Sequence, residues 1–478
     1  MNAPITRLFV LVIALFAVLI GATAWWSVFT KDDLEANAFN RREALQQQRI
    51  RRGVIRAADG TVLARSEERT DKTFTRRYPT QGLFAHALGY SFARIGQAGL
   101  ELSRSDELTG KKQELTSVFD ELRGRQQEGD DLITTLDPAA QRIALDGLAG
   151  RKGSVVAIEP STGAVRVMAS NPGFDPAALR SIKTFEALNK DTSSPLFNRA
   201  TQAGYAPGST MKVVTATAAI DSGRYTPQST VDGRNGKPVS GVPLNNFGKA
   251  SFGPIDLTTA LTKSVNTVWA EVAEKLGKAT MERYMKRFGF FKAPPIDLPG
   301  FQLRASGVYR GQPPRLVSPT SDTVDIGRVG IGQEKLNVTP LQMAMVASAV
   351  ANDGRLMKPH IMARAVDRDG RTTEKISPEE QAQVMKPDTA RQVGEMMTKV
   401  VAEGSGTAAA LKGIDVAGKT GTAEKNIAQR LNQPWFIAFA PTRDAKVAIA
   451  VTIESSVGGT GGEVAAPIAK RVLESLLR

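Results

Sequence analysis

Pro207-Gly208-Ser209-Thr210-Met211-Lys212 is the stretch on which the reading of this chain turns. A serine three residues before a lysine on one helix shares a face with it, so the Ser209 hydroxyl and the Lys212 amine come within hydrogen-bond reach. Beyond them Met211, Val213, Val214, Ala216, Ala218, Ala219 and Ile220 make the segment apolar on nearly every side, until Asp221-Ser222-Gly223 ends it. A helix apolar all round is a buried helix. Burying an uncompensated ammonium is costly, and both desolvation and a neighbouring cation favour the neutral amine. Lys212 is therefore expected to stand near neutrality and to accept the Ser209 proton.

Working outward, two more short motifs follow at long intervals, Ser264-Val265-Asn266 and then Lys419-Thr420-Gly421-Thr422. Alone, Ser-x-Asn is a common helix start and Lys-Thr-Gly an ordinary strand segment. Together with Ser-x-x-Lys, and in this order, they form the signature of serine acyl-transfer enzymes.

Alternative nucleophiles and bases are scarce. The chain has 478 residues, no cysteine and two histidines. That excludes a thiolate nucleophile, a disulfide framework and a cysteine metal site, and makes a histidine metal cluster a poor expectation. His86 and His360 are read as structural, which leaves lysine as the base. A hydrophobic content of 41% supports a sizeable core, and the length calls for two or three units.

From Leu8 to Phe29 no residue is charged, and about 20 apolar residues span a bilayer. Arg7 precedes the run and Lys31, Asp32 and Asp33 follow it, which places the bulk of the chain outside the cytoplasm. Ala22-Thr23-Ala24 also fits a signal-peptidase site. Because the apolar run continues through Trp25, Trp26, Val28 and Phe29, a retained single-pass anchor in the cell membrane is the expectation. The net charge of +14 does not imply nucleic acid, since export removes that partner and no basic stretch is interleaved with aromatics. Arg41, Arg42, Arg49, Arg51, Arg52 and Arg56 cluster beyond the span, either as a solvated helix face or as an attraction for anionic headgroups or wall polymers.

Three segments follow from the pattern shifts. Residues 1–30 form the short N-terminus and anchor. Residues 31–150 form a smaller mixed unit, with a juxtamembrane helix from Leu34 to Gln48 and then short strands and loops. Residues 151–478 form the large domain. Asp137-Pro138 is an N-cap followed by proline at the first helical position. Val155 to Ile158 and Ala164 to Ala169 read as a hairpin around Pro160-Ser161-Thr162-Gly163. Asp415 to Glu424, Trp435 to Ala440 and Val447 to Ile453 read as three more strands, followed by a helix from Val464 to Leu477. Strands at both ends of a helical middle imply an α+β fold.

With these residues in view, the chain resembles the penicillin-binding proteins, and within them the class B peptidoglycan D,D-transpeptidases. The resemblance runs from about Arg52 to the C-terminus. It includes Arg52-Gly53-Val54-Ile55, Gly99-Leu100-Glu101, Thr339-Pro340-Leu341-Gln342 and Ala465-Ala466-Pro467. Glu334 departs from it, standing where many relatives carry glycine. The resemblance implies one five-stranded antiparallel sheet with helices on both faces, an all-helical lobe, and a pedestal or dimerisation-type domain between anchor and catalytic domain. It implies catalytic roles for Ser209, Lys212, Ser264, Asn266 and Lys419, with Ser264 relaying a proton and Asn266 orienting Lys212. Thr420, Gly421 and Thr422 would bind substrate, Gly421 by leaving room for a peptide along the strand. The backbone N–H groups of Ser209 and Thr422 would stabilise the oxyanion.

The implied substrates are peptidoglycan stem peptides, with β-lactams as mimics that acylate Ser209. No metal or organic cofactor is implied, and a polytopic membrane glycosyltransferase of the elongation or division machinery is the implied partner. A class A β-lactamase would need a deacylating glutamate, and Arg283 to Gln333 contains none; Asp297 is a poor substitute. A bifunctional protein would need a glycosyltransferase domain for which there is no room before Gly153. A D,D-carboxypeptidase, or a mainly structural partner of a glycosyltransferase, remains as an alternative.

Overall fold

The Pro160-Ser161-Thr162-Gly163 turn behaves as its composition dictates. Gly163 takes φ +82°, and its N–H donates to Glu159 O at 2.9 Å, closing a tight antiparallel hairpin. The structure, a computed structural model, describes residues 3–28, 48–111, 128–426 and 428–478. Of the expected juxtamembrane helix, residues 34–47 lie outside the described residues.

In chain order, the elements that position the site are helix α1 (Ala3–Val28), strands β1 (Ile55–Arg56), β2 (Val62–Glu68), β3 (Phe74–Arg77) and β4 (Asp131–Thr134), and helix α2 (Pro138–Leu148). Next come strands β5 (Gly153–Ile158) and β6 (Val165–Asn171), then helices α3 (Lys212–Asp221), α4 (Leu257–Thr262), α5 (Asn266–Leu276) and α6 (Pro340–Ala351). Strands β7 (Met362–Val366) and β8 (Thr372–Lys375) precede helix α7 (Pro387–Glu403). Strands β9 (Ala417–Asn426), β10 (Leu431–Ala440) and β11 (Val447–Ile453) and helix α8 (Ala466–Leu476) complete the chain.

The large sheet runs β9-β10-β11-β5-β6, antiparallel throughout, with β9 at its edge. Alternation along β11 assigns its two faces. Val447, Ile449, Val451 and Ile453 enter a core with Ala140, Ala144 and Leu148 of α2 and Val472 and Leu473 of α8. Ala448 and Ala450 enter the other core, with Met343, Ala344 and Ala347 of α6 and the apolar side of α3. A strand buried on both faces is what a helix-covered sheet requires. The Asp137 cap forms as expected, its carboxylate accepting from Ala140 N at 2.9 Å.

A second sheet runs β8-β7-β4-β1-β2-β3. Strands β7 and β8 come from the heart of the large domain's sequence, yet Met362 pairs with Thr134 and Val366 with Asp131. This pairing ties the two units together. Asp297 belongs to the same junction. Its carboxylate accepts from Ile361 N at 2.7 Å and Met362 N at 2.8 Å and faces Arg104 at 3.6 Å.

Of the arginine cluster, Arg41 and Arg42 lie outside the described residues, Arg49 and Arg51 are exposed as a solvated set would be, and Arg52 departs from that view. It is buried, with Nε 3.2 Å from Glu101 Oε2, while Arg76 Nε lies 2.5 Å from Glu101 Oε1 and the Tyr78 hydroxyl 3.3 Å away. Burial pushes the Glu101 carboxyl up, and the two guanidiniums more than offset it, so its pKa is lowered. Arg51 faces Glu128 and Arg56 faces Asp131 nearer the surface.

Helix α1 is long and apolar enough to cross a membrane, and its side chains from Ile5 to Ile20 are exposed.

Candidate active site

Ser209 stands on a tight 3-10 turn, Gly208–Met211, that runs directly into α3, and not on the α-helix itself as the spacing predicts. In a 3-10 turn residues i and i+3 eclipse, so the shared face survives. Three straps hold the turn. Trp435 Nε1 donates to Ala206 O at 2.9 Å, Gly208 N donates to Gly332 O at 3.1 Å, and Thr210 Oγ1 donates to Pro207 O at 2.8 Å. Gly208 has φ +51°, and a Cβ there would stand 3.1 Å from the Thr422 carbonyl group, so the turn presses directly on the edge strand. The Ser209 hydroxyl is half-buried and makes no hydrogen bond among the described residues.

Lys212 is fully buried, and all ten residues of α3 are buried. Its Nζ lies 2.8 Å from Ser264 O, 2.7 Å from Asn266 Oδ1 and 3.2 Å from Ser264 Oγ. A neutral amine has two N–H bonds and one lone pair. The two carbonyl-type oxygens take both donors, which leaves the lone pair for a hydroxyl. Lys419 Nζ approaches from the other side, 2.9 Å from Ser264 Oγ and 3.0 Å from Thr420 O. Neither amine has a carboxylate partner among the described residues. Burial, followed by the Lys419 charge, holds Lys212 well below the usual lysine range, and burial lowers Lys419 to about 7.

Ser264 closes one helix instead of starting the next. Val265 N donates to Ala260 O at 2.9 Å and Ser264 N to Leu261 O at 3.1 Å, the double closure that terminates α4, with Ser264 in the left-handed region at φ +57°. Glycine is the usual occupant of that position, because a Cβ is strained there. The helix-cap alternative for this motif fails, since Val265 is the N-cap of α5 and makes no side-chain cap. Asn266 opens α5. Its Nδ2 donates to Asn245 O at 3.0 Å, which fixes the amide so that Oδ1 faces Lys212.

The register of β9 settles which way its backbone points. Ala440 O accepts from Lys446 N at 3.0 Å and Pro434 O accepts from Thr452 Oγ1 at 3.1 Å, so the even-numbered residues of β10 face β11. Their partners Gly418, Thr420 and Thr422 therefore turn their N–H and C=O groups to the open edge. Gly421 does not leave the room along the strand that the sequence reading expects. A Cβ there would stand 2.7 Å from Pro207 O and 3.0 Å from the Thr210 methyl, so the missing side chain admits the Ser209 turn. Thr420 Oγ1 pairs with Ser405 Oγ at 2.5 Å, and Thr422 Oγ1 accepts from Gly461 N at 3.2 Å.

The structure thus joins Lys212, Ser264, Asn266 and Lys419 by hydrogen bonds where α3, the α4–α5 junction and the edge of the sheet meet, while Ser209 stands on the preceding turn without the hydrogen bond to Lys212 that the spacing allows. Sequence reasoning missed Asn245, Ser405 and Trp435. Asn245 acts through a backbone carbonyl, and Ser405 lies fifteen residues before its partner in a Gly-Ser-Gly loop, so neither leaves a side-chain pattern. His86 lies outside the site, with Nε2 2.8 Å from Pro195 O and its ring edge-on to Phe174; burial pushes it down to about 4.

Residues 153–474 match the family described as the penicillin binding protein transpeptidase domain. The chain belongs to that family. Residues 52–132 match the penicillin binding protein A dimerisation domain. Among curated proteins, the chain is 34% identical to peptidoglycan D,D-transpeptidase PbpA of Mycolicibacterium smegmatis, over 100% of this chain and 99% of that one. It is 30% identical to peptidoglycan D,D-transpeptidase MrdA of Acinetobacter baumannii, over 84% of this chain and 66% of that one. Among solved structures, penicillin-binding protein A from M. tuberculosis, as a ceftriaxone acyl-enzyme complex, superposes with a TM-score of 0.82 at 30% identity, covering 91% of this chain and all of that one. The sheet and helical lobe of this chain are therefore the family's fold.

Proposed function

We propose that the chain is a peptidoglycan D,D-transpeptidase in which Ser209 carries the acyl group. The observation that carries the reading is the pair of buried lysines joined through the Ser264 hydroxyl, with no carboxylate beside either among the described residues. Lys212, neutral at the working pH, takes the Ser209 proton as Oγ attacks the carbonyl of the penultimate D-alanine of a stem peptide. The Ser209 and Thr422 N–H groups receive the negative charge that develops on the carbonyl oxygen. Thr422 is suited to this because its backbone faces the open edge.

As the intermediate collapses, the proton held by Lys212 passes through Ser264 Oγ to the departing D-alanine nitrogen, and an ester to Ser209 remains. An amine of a neighbouring stem peptide attacks that ester. Its proton returns along the same path, and the Ser209–acyl bond breaks to give the cross-link. Lys419, with the Ser405–Thr420 hydroxyl pair, suits the terminal carboxylate of the donor. One relative, penicillin-binding protein A from M. tuberculosis, captured as ceftriaxone, imipenem and penicillin G acyl-enzymes, supports the same chemistry here, the β-lactam amide opening onto Ser209.

The placement of charge around the uncharged run of α1, with Arg7 ahead of Leu8 and Lys31, Asp32 and Asp33 after Phe29, supports a single-pass anchor with the catalytic domain outside the cytoplasm. The division at about residues 30 and 150 gives an anchor, a pedestal and a transpeptidase domain. A polytopic membrane glycosyltransferase, met through anchor and pedestal, fits the division of labour, because cross-linking needs freshly polymerised glycan.

The test is purified protein supplied with a pentapeptide donor and an amine acceptor. The reading expects cross-linked product together with released D-alanine. Release of D-alanine into water alone would make the chain a carboxypeptidase.

A further inference from the structure

The smaller sheet carries a groove that the acyl-transfer chemistry does not use. It has a volume of about 600 Å³ and is lined on one side by Ser66, Phe74, Thr75 and Arg76 of β2 and β3. Arg52, Arg69, Arg94 and Arg180 complete a set of five arginines, and no carboxylate is among the described lining residues. Arg52 and Arg76 share Glu101 behind the wall. Arg69, Arg94 and Arg180 make no ion pair among the described residues, and their side chains are exposed. Glu67 of β2 pairs with Arg77, and neither it nor Glu68 lines the groove.

Behind the exposed arginines lies a further guanidinium. Arg76 is 4% exposed, and its Nη2 is buried without any hydrogen-bond partner, although Nε and Nη1 are fully engaged. That nitrogen is closed off from solvent, so Arg76 offers the groove no direct contact through it; with two guanidiniums on one carboxylate, the Arg52–Glu101–Arg76 set adds net positive charge to the field of the exposed arginines. Guanidiniums are suited to phosphate, which offers them planar, bidentate acceptors.

We propose that this groove binds the phosphodiester of an anionic lipid headgroup. The chain itself argues for a lipid over a free phosphate. Gln48 and Ile50 line the groove, and the membrane-spanning helix ends at Val28. Twenty residues reach at most about 70 Å even when fully extended, so the groove is tethered to the bilayer surface. An anionic bilayer surface attracts arginines that come within a Debye length of it, roughly 10 Å. Held in this way, the pedestal would be fixed in one orientation above the lipid, setting the direction in which the transpeptidase cleft looks.

The experiment is native mass spectrometry of the full chain in a neutral detergent, titrated with phosphatidylglycerol, phosphatidylcholine or inorganic phosphate. The variant is Arg69→Gln with Arg94→Gln, both exposed and outside the Glu101 network, and the charge-matched control is Arg443→Gln with Lys446→Gln. We expect phosphatidylglycerol to bind above the phosphatidylcholine background, to weaken on the order of tenfold or more in the groove variant, and to be unchanged in the control. A thermal midpoint equal to that of the parent establishes that the groove variant is folded. Equal phosphatidylglycerol binding by parent and groove variant would overturn the site. Binding of inorganic phosphate as tight as that of the lipid would overturn the lipid assignment.

Discussion

Replacing Lys419 by methionine should make the protein more stable and less active. Lys419 is fully buried and titrates at about 7 in the folded chain, whereas an unfolded lysine holds its proton to about 10.5. Between those values the unfolded chain binds more protons, so the stability of the parent rises with pH from 7 to 10.5, and the full penalty is present below 7. That gap corresponds to on the order of 5 kcal/mol. Methionine keeps the apolar stem but loses the hydrogen bonds to Ser264 Oγ and Thr420 O, together worth about 1–2 kcal/mol. The net expectation is a gain of about 3–4 kcal/mol at pH 7. Without its cationic neighbour Lys212 holds its proton to higher pH, so the residual acylation profile should move to the alkaline side, with a rate loss of at least about 10². Urea unfolding in neutral detergent, followed by tryptophan fluorescence across pH 6.5 to 10, measures the first effect. A labelled penicillin measures the second. A variant no more stable than the parent, with the same slope against pH, would refute the reasoning.

Ser264→Gly relieves the strained φ of +57°, so it should gain about 1 kcal/mol of stability while slowing acylation by about 10² or more; equal acylation would remove Ser264 from the proton path. Glu101→Gln leaves two buried guanidiniums uncompensated and should lose about 3–5 kcal/mol by chemical denaturation, with a midpoint shift small enough to be called a surface effect counting against it. Gly421→Ala drives a methyl to within 2.7 Å of Pro207 O; penicillin acylation should fall at least tenfold although the added group is apolar and small, and an unchanged rate would mean that the Ser209 turn is not pressed on β9.

Where a residue's role depends on its own side chain and near neighbours, the sequence made it legible. Ser209 and Lys212 share a face by spacing, and the Val447–Ile453 alternation announced a strand covered on both sides, which the two cores bear out. What escaped depends on distant backbone. The pairing of Met362–Val366 with Asp131–Thr134 joins segments more than two hundred residues apart, and nothing in either run marks its partner. Ser264 reads as a helix start because serine favours that place, but the hydrogen bonds of α4 make it a left-handed helix end. Gly421 has a reason visible only when Pro207 is packed against it. Glu334 keeps a left-handed φ of +62° where glycine would be unstrained, with Arg310 paired to its carboxylate.

In this chemistry Ser209 is the residue that becomes acylated. Peptide mapping by mass spectrometry of the purified chain after reaction with penicillin tests it most directly. One adduct is expected, on the tryptic peptide containing Ser209, and none in Ser209→Ala. An adduct on any other residue, or undiminished labelling of Ser209→Ala, would contradict it.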